Sequence, residues 1–133
     1  MTRASGTFEV KLAPQTSDAY ADGATLGRMT IDKQFQGGLT GTSKGQMLTA
    51  LTPVKGSAGY VAIETVTGSL AGRSGTFVLQ HSGTMNRGAA ALTLTVVPDS
   101  GTGELAGLTG SMSIDVSGGK HAYTFDFAIP GAP

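Results

Sequence analysis

The chain has 133 residues, of which 39% are apolar, enough for one domain with a hydrophobic core. Nine Lys and Arg balance nine Asp and Glu, and no run of either sign occurs along the chain. This balance argues against nucleic acid and against an anionic membrane surface as partners, because both are bound through clusters of basic residues.

No apolar stretch approaches the roughly 20 residues of a membrane-spanning helix, and the N-terminus lacks the apolar region of a secretion signal. We therefore expect residues 1–133 to form a single soluble domain in the cytoplasm, with no membrane partner. The chain has no cysteine, which excludes disulfide bonds, thiolate metal sites and a cysteine nucleophile.

The composition indicates an all-β fold. Twenty-one Gly accompany abundant Thr, Val and Ser, and helical periodicity is almost absent. Alternating apolar and polar residues predict eight strands, separated by turns that contain Gly, Asn or Pro. These strands span about 6–12, 25–36, 39–51, 58–71, 74–85, 90–97, 102–117 and 120–129.

Consecutive strands joined by tight turns are expected to pair as an antiparallel meander. Eight such strands can close into an up-and-down β-barrel, whose interior is wide enough for side chains or one small ligand. A two-sheet sandwich is the alternative. The last two strands favour closure, because pairing Met112 with Phe125 and Ile114 with Tyr123 places their apolar sides on one face.

The register of the second and third strands is ambiguous. The apolar face of the second strand carries Lys33, and a two-residue turn after it places Lys44 and Gln46 on the facing side of the third. One of these two side chains would then come close to Glu64 on the next strand. Either this wall of the barrel is polar or the true register differs.

A carboxylate and an imidazole on one apolar face give the strongest indication of chemistry. A two-residue turn at Gly72-Arg73 places Glu64 directly opposite His81. Burial raises the pKa of a carboxyl group and a neighbouring imidazolium lowers it, so such a pair can act as a base or an acid of adjustable strength. The other interpretation is a buried hydrogen bond that fixes the register of the strands.

Strand directions distinguish the two ends of the predicted barrel. One end has tight turns, whereas the other collects segment 13–24, loop 53–57 and turn 86–89. We expect the second end to be the mouth of an elongated cavity, with Tyr20 and Asp22 in a candidate lid. Inward-facing glycines are expected to leave its volume unfilled; these are Gly68, Gly75, Gly83 and Gly110.

Eight inward-facing side chains are predicted to contact a bound molecule. They are Tyr60, Phe77, Leu79, Met85, Leu94, His121, Tyr123 and Phe125. Most of them are apolar or aromatic, so the expected partner is a small hydrophobic or aromatic molecule.

The chain resembles a known family in three segments, which are residues 60–64, 68–81 and 96–110. They begin Tyr-Val-Ala-Ile-Glu, Gly-Ser-Leu-Ala-Gly-Arg and Val-Val-Pro-Asp-Ser-Gly. In them the chain resembles a bacterial family of small proteins of unassigned function, similar in fold to allene oxide cyclase. That eight-stranded barrel is shared with dirigent proteins and with some cyclases of natural-product pathways. The resemblance implies an allene oxide cyclase-like barrel and leaves the function open.

Two functions suit this predicted site. In the first, the barrel is a cofactor-free enzyme that isomerises, cyclises or opens a ring by a Kemp-type elimination. Glu64 takes or gives the proton, and His81 sets the pKa of Glu64 or acts as the partner acid. In the second, it carries a small hydrophobic ligand as lipocalins do, without catalysis.

Two further possibilities are weaker. A filled barrel could form homo-oligomers through the outward-facing Val61, Ile63 and Val78. A metal site built from His81, His121 and Glu64 is disfavoured, because the two histidines lie three strands apart. We therefore predict neither a metal nor a cofactor.

Overall fold

The structure, a computed structural model, describes residues 1–19 and 23–131, and most of them lie in β-strands. Eight strands follow one another in chain order and close into an antiparallel barrel. The strands are β1 (Thr2–Ala19), β2 (Thr25–Gly37), β3 (Leu39–Leu51), β4 (Ala58–Leu70), β5 (Arg73–Asn86), β6 (Ala89–Val96), β7 (Thr109–Asp115) and β8 (His121–Ala128). Pairing of β1 with β8 closes the barrel, which confirms the predicted architecture and rules out the sandwich.

The first strand is longer than predicted. It continues to Ala19 and stays paired with β2, with a bulge between Pro14 and Ser17. Much of the segment predicted as a lid is therefore part of the barrel wall. Tyr20 and Asp22, the lid residues named from the sequence, lie outside the described residues.

The seventh strand is shorter than predicted. It begins at Thr109 rather than near residue 102, because Gly103–Leu105 forms a 3-10 turn. Gly103 and Gly107 both have positive φ, which interrupts extended backbone at this point. A second 3-10 turn, Ser117–Gly119, joins β7 to β8. No helix in the described residues is long and apolar enough to cross a membrane.

The β4–β5 hairpin differs from the predicted register by two residues. Its turn is Ala71-Gly72, whose φ values of 52° and 79° are those of a type I′ turn. Glu64 therefore lies opposite Leu79, and His81 lies opposite Ala62. The predicted direct pairing of Glu64 with His81 is wrong. Because side chains alternate with a period of two, both still point into the barrel.

The register of the β2–β3 hairpin differs from the predicted one by one residue. This difference has a larger effect than the two-residue difference in the β4–β5 hairpin. A single bent residue joins the two strands, and Lys33 consequently pairs with Ser43. A one-residue shift turns the side chains of a strand to the opposite face. Lys44, with 83% of its side chain exposed, therefore points outward. The prediction that Lys44 or Gln46 approaches Glu64 is wrong.

The hydrophobic core fills the half of the barrel that has the tight turns. Its largest fully buried apolar residues are Tyr123, Phe35, Phe77, Phe125, Leu39, Leu70, Leu79, Leu94, Leu105, Leu108 and Val66. The inward glycines do not create empty volume as expected. A Cβ at Gly68 would lie 2.3 Å from the carbonyl oxygen of Thr40, and one at Gly75 would lie 2.0 Å from that of Thr102. Gly68 and Gly75 allow close approach of neighbouring backbone instead, and the ring of Tyr60 fills the space beside Gly83.

The outer face of β4 carries two of the residues predicted for self-association. Val61 is 51% exposed and Ile63 is 54% exposed. Val78 on β5 is only partly exposed, because the segment after β6 covers it and Ser100 accepts a hydrogen bond from its amide at 3.0 Å. The predicted three-residue patch is thus reduced to two residues on β4.

The hydroxyl of Tyr123 ties β8 to the β2–β3 connection. It accepts a hydrogen bond from the amide of Leu39 at 2.9 Å and donates toward the carbonyl oxygen of Gln36 at 2.8 Å. Tyr123→Phe is expected to lower the free energy of unfolding by about 1–3 kcal/mol in urea denaturation, because it leaves buried backbone groups without a partner. Tyr60→Phe is the matched control, since Tyr60 is a half-buried residue whose hydroxyl makes no hydrogen bond within the described residues, and we expect a change within about 0.5 kcal/mol. Equal losses in both variants would contradict this role.

Candidate functional site

A cavity of about 550 Å³ occupies the half of the barrel that the core does not fill. Leu51, Ala58 and Met85 line it where β3, β4 and β5 meet the loops 52–57 and 87–88, which is the end predicted as the mouth. Its walls are mostly apolar, and the polar residues among them are Lys33, Thr49, Tyr60, His81, Thr84 and His121. The volume lies within the range of roughly 300–1,000 Å³ that is typical of small-molecule pockets.

A carboxylate with no exposed surface lies behind the cavity wall. Ser43 donates a hydrogen bond to Oε1 of Glu64 at 2.7 Å, and Lys33 donates one to Oε2 at 2.8 Å. Nε2 of His81 lies 2.5 Å from the same Oε2. The four residues come from β2, β3, β4 and β5, which are neighbours in the barrel.

Gly45 makes room for this cluster. It lies opposite Glu64 on β3, and a Cβ at this position would lie 2.7 Å from the Cβ of Glu64 and 2.2 Å from the carbonyl oxygen of Ile63. Any larger residue would displace the strand that carries the carboxylate. His81 reaches Glu64 from the next inward position of β5, so the contact runs diagonally across the strand pair.

These neighbours keep Glu64 ionised. Burial by itself raises the pKa of the carboxyl group, but the hydrogen bond from His81, the charge and hydrogen bond of Lys33 and the hydrogen bond of Ser43 together outweigh it. The pKa of Glu64 is lowered from 4.5 to about 2. An ionised carboxylate only accepts hydrogen bonds, so Nε2 of His81 carries the hydrogen. In the neutral imidazole the lone pair is then on Nδ1.

The ring of His81 connects this carboxylate to the cavity. His81 lines the cavity, although only 4% of the residue is exposed. Every fully buried side-chain nitrogen and oxygen of the described residues has a hydrogen-bond partner. Nδ1 makes no hydrogen bond within that part of the chain, and the ring that carries it lines the cavity. The arrangement is a histidine held by a buried carboxylate, with its ring at the cavity wall.

Lys33 is the second polar group of the cavity floor. It is 7% exposed and lies beneath aromatic rings, with Nζ 4.8 Å from the ring centroid of Phe8 and 5.8 Å from that of Phe35. Both are cation–π contacts of the Lys33 side chain with a ring face. The alternation of the sequence placed Lys33 on the inner face without assigning it a role. Ser43 was missed, because the predicted register turned it outward.

The eight predicted ligand-contacting residues separate into two groups. Tyr60, Met85 and His121 line the cavity. The remaining five are buried in the core of the closed half, where Phe77 and Phe125 stack at 5.9 Å; these five are Phe77, Leu79, Leu94, Tyr123 and Phe125. No group of three His, Cys, Asp or Glu within residues 1–19 and 23–131 is arranged to bind a metal ion.

The family model described as "Protein of unknown function (DUF3224)" matches residues 4–127. The chain belongs to this family. A crystal structure of a DUF3224 protein of unknown function from Shewanella oneidensis MR-1 is 54% identical, with a TM-score of 0.91 and coverage of 99% of each chain. A search of curated proteins found no match. The resemblance to a bacterial family of unassigned function is thus confirmed, and the DUF3224 barrel is a small β-barrel of unknown function.

Proposed function

We propose that this DUF3224 protein is a cofactor-free proton-transfer enzyme that binds a small, mostly apolar molecule in its cavity. One observation carries the proposal. His81 is bonded through Nε2 to the buried carboxylate of Glu64, and the same ring lines the cavity. A histidine oriented in this way by a carboxylate is a common general base.

The geometry favours a division of roles within the pair. Nδ1 of His81 removes a proton from the substrate, and the imidazolium that forms is stabilised by the adjacent carboxylate of Glu64. Glu64 has no exposed surface, so it acts as a positioning residue rather than as the base that contacts substrate. The proton is then returned to another atom of the substrate in an isomerisation or cyclisation, or passes to water in a ring opening that releases a phenolate.

The walls of the cavity support the same chemistry. They are built from residues such as Val10, Ile31, Met47 and Leu92, which hold water away from the reacting atoms. A substrate placed against His81 there avoids the entropic cost of a chance encounter. Isomerisation, cyclisation and base-promoted ring opening all proceed from such a complex without a cofactor.

A non-catalytic binding protein is the second candidate, and the dominance of apolar residues in the cavity wall favours it. In that function Nδ1 of His81 accepts a hydrogen bond from a hydroxyl group of the ligand and orients it. Both candidates require the same cavity. They differ in whether a bound carbon acid loses a proton.

The test is ring opening of 5-nitro-1,2-benzisoxazole, which needs a single proton abstraction and releases a coloured phenolate. We expect saturable turnover by the wild-type protein. Glu64→Gln is expected to lower kcat at least about tenfold, because the anion that stabilises the imidazolium is gone.

Glu9→Gln on the outer face of β1 is the matched control and should leave kcat unchanged. Turnover no faster than that of free imidazole at the same concentration would contradict the enzyme. Saturable binding of the benzisoxazole without ring opening would favour the carrier.

A further inference from the structure

We propose that Lys33 is a second catalytic residue of this site, whose ammonium group stabilises negative charge on a substrate oxygen while His81 takes the proton. This assignment rests on the proposed function and narrows its substrate class. The substrates are carbon acids whose conjugate base carries its charge on oxygen, such as enolisable ketones and rings that open to a phenolate.

The first observation is that the base His81 and the cation Lys33 both contact the same oxygen of Glu64. Nζ of Lys33 lies 2.8 Å from Oε2 of Glu64, and Nε2 of His81 lies 2.5 Å from the same oxygen. Both side chains also line the same cavity. A molecule in that cavity can therefore contact the ring of His81 and the side chain of Lys33 together.

The second observation is that Lys33 retains donors for a further partner. An ammonium group has three N–H donors, and within the described residues Glu64 is the only hydrogen-bond acceptor that contacts it. The rings of Phe8 and Phe35 flank the remaining surface of the group and limit hydration. A hydrogen bond from a charged donor is strong in such surroundings.

The charges of the site suit the transition state better than the ground state. Before reaction, Lys33 and Glu64 neutralise each other. Proton transfer creates an imidazolium next to Glu64 and an oxyanion next to Lys33. The oxyanion, the ammonium of Lys33, the carboxylate of Glu64 and the imidazolium then follow one another with alternating charge. Fixed groups aimed at charge that develops in the transition state are the main source of enzymatic rate acceleration.

The step balances without an oxidant or a reductant. The proton moves from the substrate carbon to Nδ1 of His81, and the C–H electron pair forms a new π bond. In a benzisoxazole the N–O bond breaks and its electron pair stays on oxygen, whereas in a ketone the carbonyl π pair moves to oxygen. Lys33 keeps its proton throughout and donates a hydrogen bond to that oxygen.

The experiment compares the wild-type protein with Lys33→Met on a series of substituted benzisoxazoles whose phenol products differ in acidity. We expect the rate to depend more steeply on phenol acidity in Lys33→Met. The loss should grow from about tenfold for the nitro compound to about a hundredfold for the least acidic phenol, as expected for loss of an oxyanion donor. Lys44→Met on the outer face is the matched control and should match the wild type.

A binding measurement tests the same assignment without turnover. The wild-type protein is expected to bind 2-cyano-4-nitrophenolate at least about tenfold more tightly than its methyl ether, and Lys33→Met should lose this preference.

If Lys33→Met does not fold, the double variant Lys33→Met/Glu64→Gln is compared with Glu64→Gln. An unchanged acidity dependence and a retained preference for the phenolate would overturn the role of Lys33 while leaving His81 as the base. If the wild type binds the phenolate but opens no ring, the proposed enzyme fails, and the preference alone decides whether Lys33 binds an oxyanion.

Discussion

Replacing His81 with glutamine is expected to lower kcat/KM for 5-nitro-1,2-benzisoxazole by at least about a hundredfold, the lower end of the usual contribution of a general base. Glutamine retains an N–H group that can donate to Oε2 of Glu64, so the buried hydrogen bond is kept while the base is removed. The loss should appear mainly in kcat, since the apolar walls that bind the substrate are unchanged.

His121→Gln is the matched control for this variant. His121 lines the same cavity, but it lies on β8 with its ring 5.1 Å from that of Phe8 and has no carboxylate partner within the described residues. We expect a change in kcat/KM of no more than about threefold, well below a general-base effect. A full loss in His121→Gln together with normal activity in His81→Gln would show that the base is His121.

Removing the charge of Lys33 alone is expected to be strongly destabilising. Lys33→Met leaves the carboxylate of Glu64 buried without its cation, and breaking a buried ion pair in this way costs about 3–5 kcal/mol. The double variant Lys33→Met/Glu64→Leu removes both charges and should recover most of that loss, because no uncompensated charge remains. The measurement is urea denaturation at neutral pH.

The exposed pair of Arg3 and Asp126 is the control for the buried one. Its atoms lie 2.7 Å apart, but 69% and 37% of the two side chains are exposed, so Asp126→Asn should cost less than about 1 kcal/mol. Similar losses for Lys33→Met and for the double variant would contradict the expected coupling between Lys33 and Glu64.

The same cluster makes stability depend on pH. The pKa of Glu64 is lowered from 4.5 to about 2 in the folded protein. Its ionisation therefore contributes about 3 kcal/mol of stability above the unfolded pKa, and this contribution is lost as pH falls through the folded one. The difference in unfolding free energy between the wild type and Glu64→Gln should shrink as the pH falls from 4.5 to about 2. A difference that stays constant over this range would contradict the prediction.

The closed barrel and the register of its last hairpin were predictable from the sequence. Met112 pairs with Phe125, and Ile114 pairs with Tyr123, as expected. Both strands carry apolar residues on the same side, so any slip by one residue would expose one set to water. Where the apolar alternations of two paired strands agree in this way, the hydrophobic effect favours a single register over all others.

The membership of the candidate site was only partly predictable. Glu64 and His81 were placed on the inner face correctly even though their register was wrong by two residues, because a shift of two preserves the face. The one-residue error between β2 and β3 had the opposite result. It turned Lys44 inward and concealed Ser43, which bonds the carboxylate directly.

On strands with a clear apolar alternation, such as β5 and β8, the sequence by itself determined which side faces inward, since alternation is a local property with a period of two. On β3, where the inward residues include Ser43 and Gly45, the pairing with β2 decided it. The tertiary structure decided how deep each inward residue lies. Leu79 and Met85 share the inner face of β5, yet Leu79 is fully buried in the core and Met85 lines the mouth of the cavity. Depth depends on the register of all eight strands together, and each register depends on a turn whose geometry one residue can change. The pairing of Glu64 with Lys33, two strands away, therefore depends on the registers of both the β2–β3 and the β3–β4 pairs.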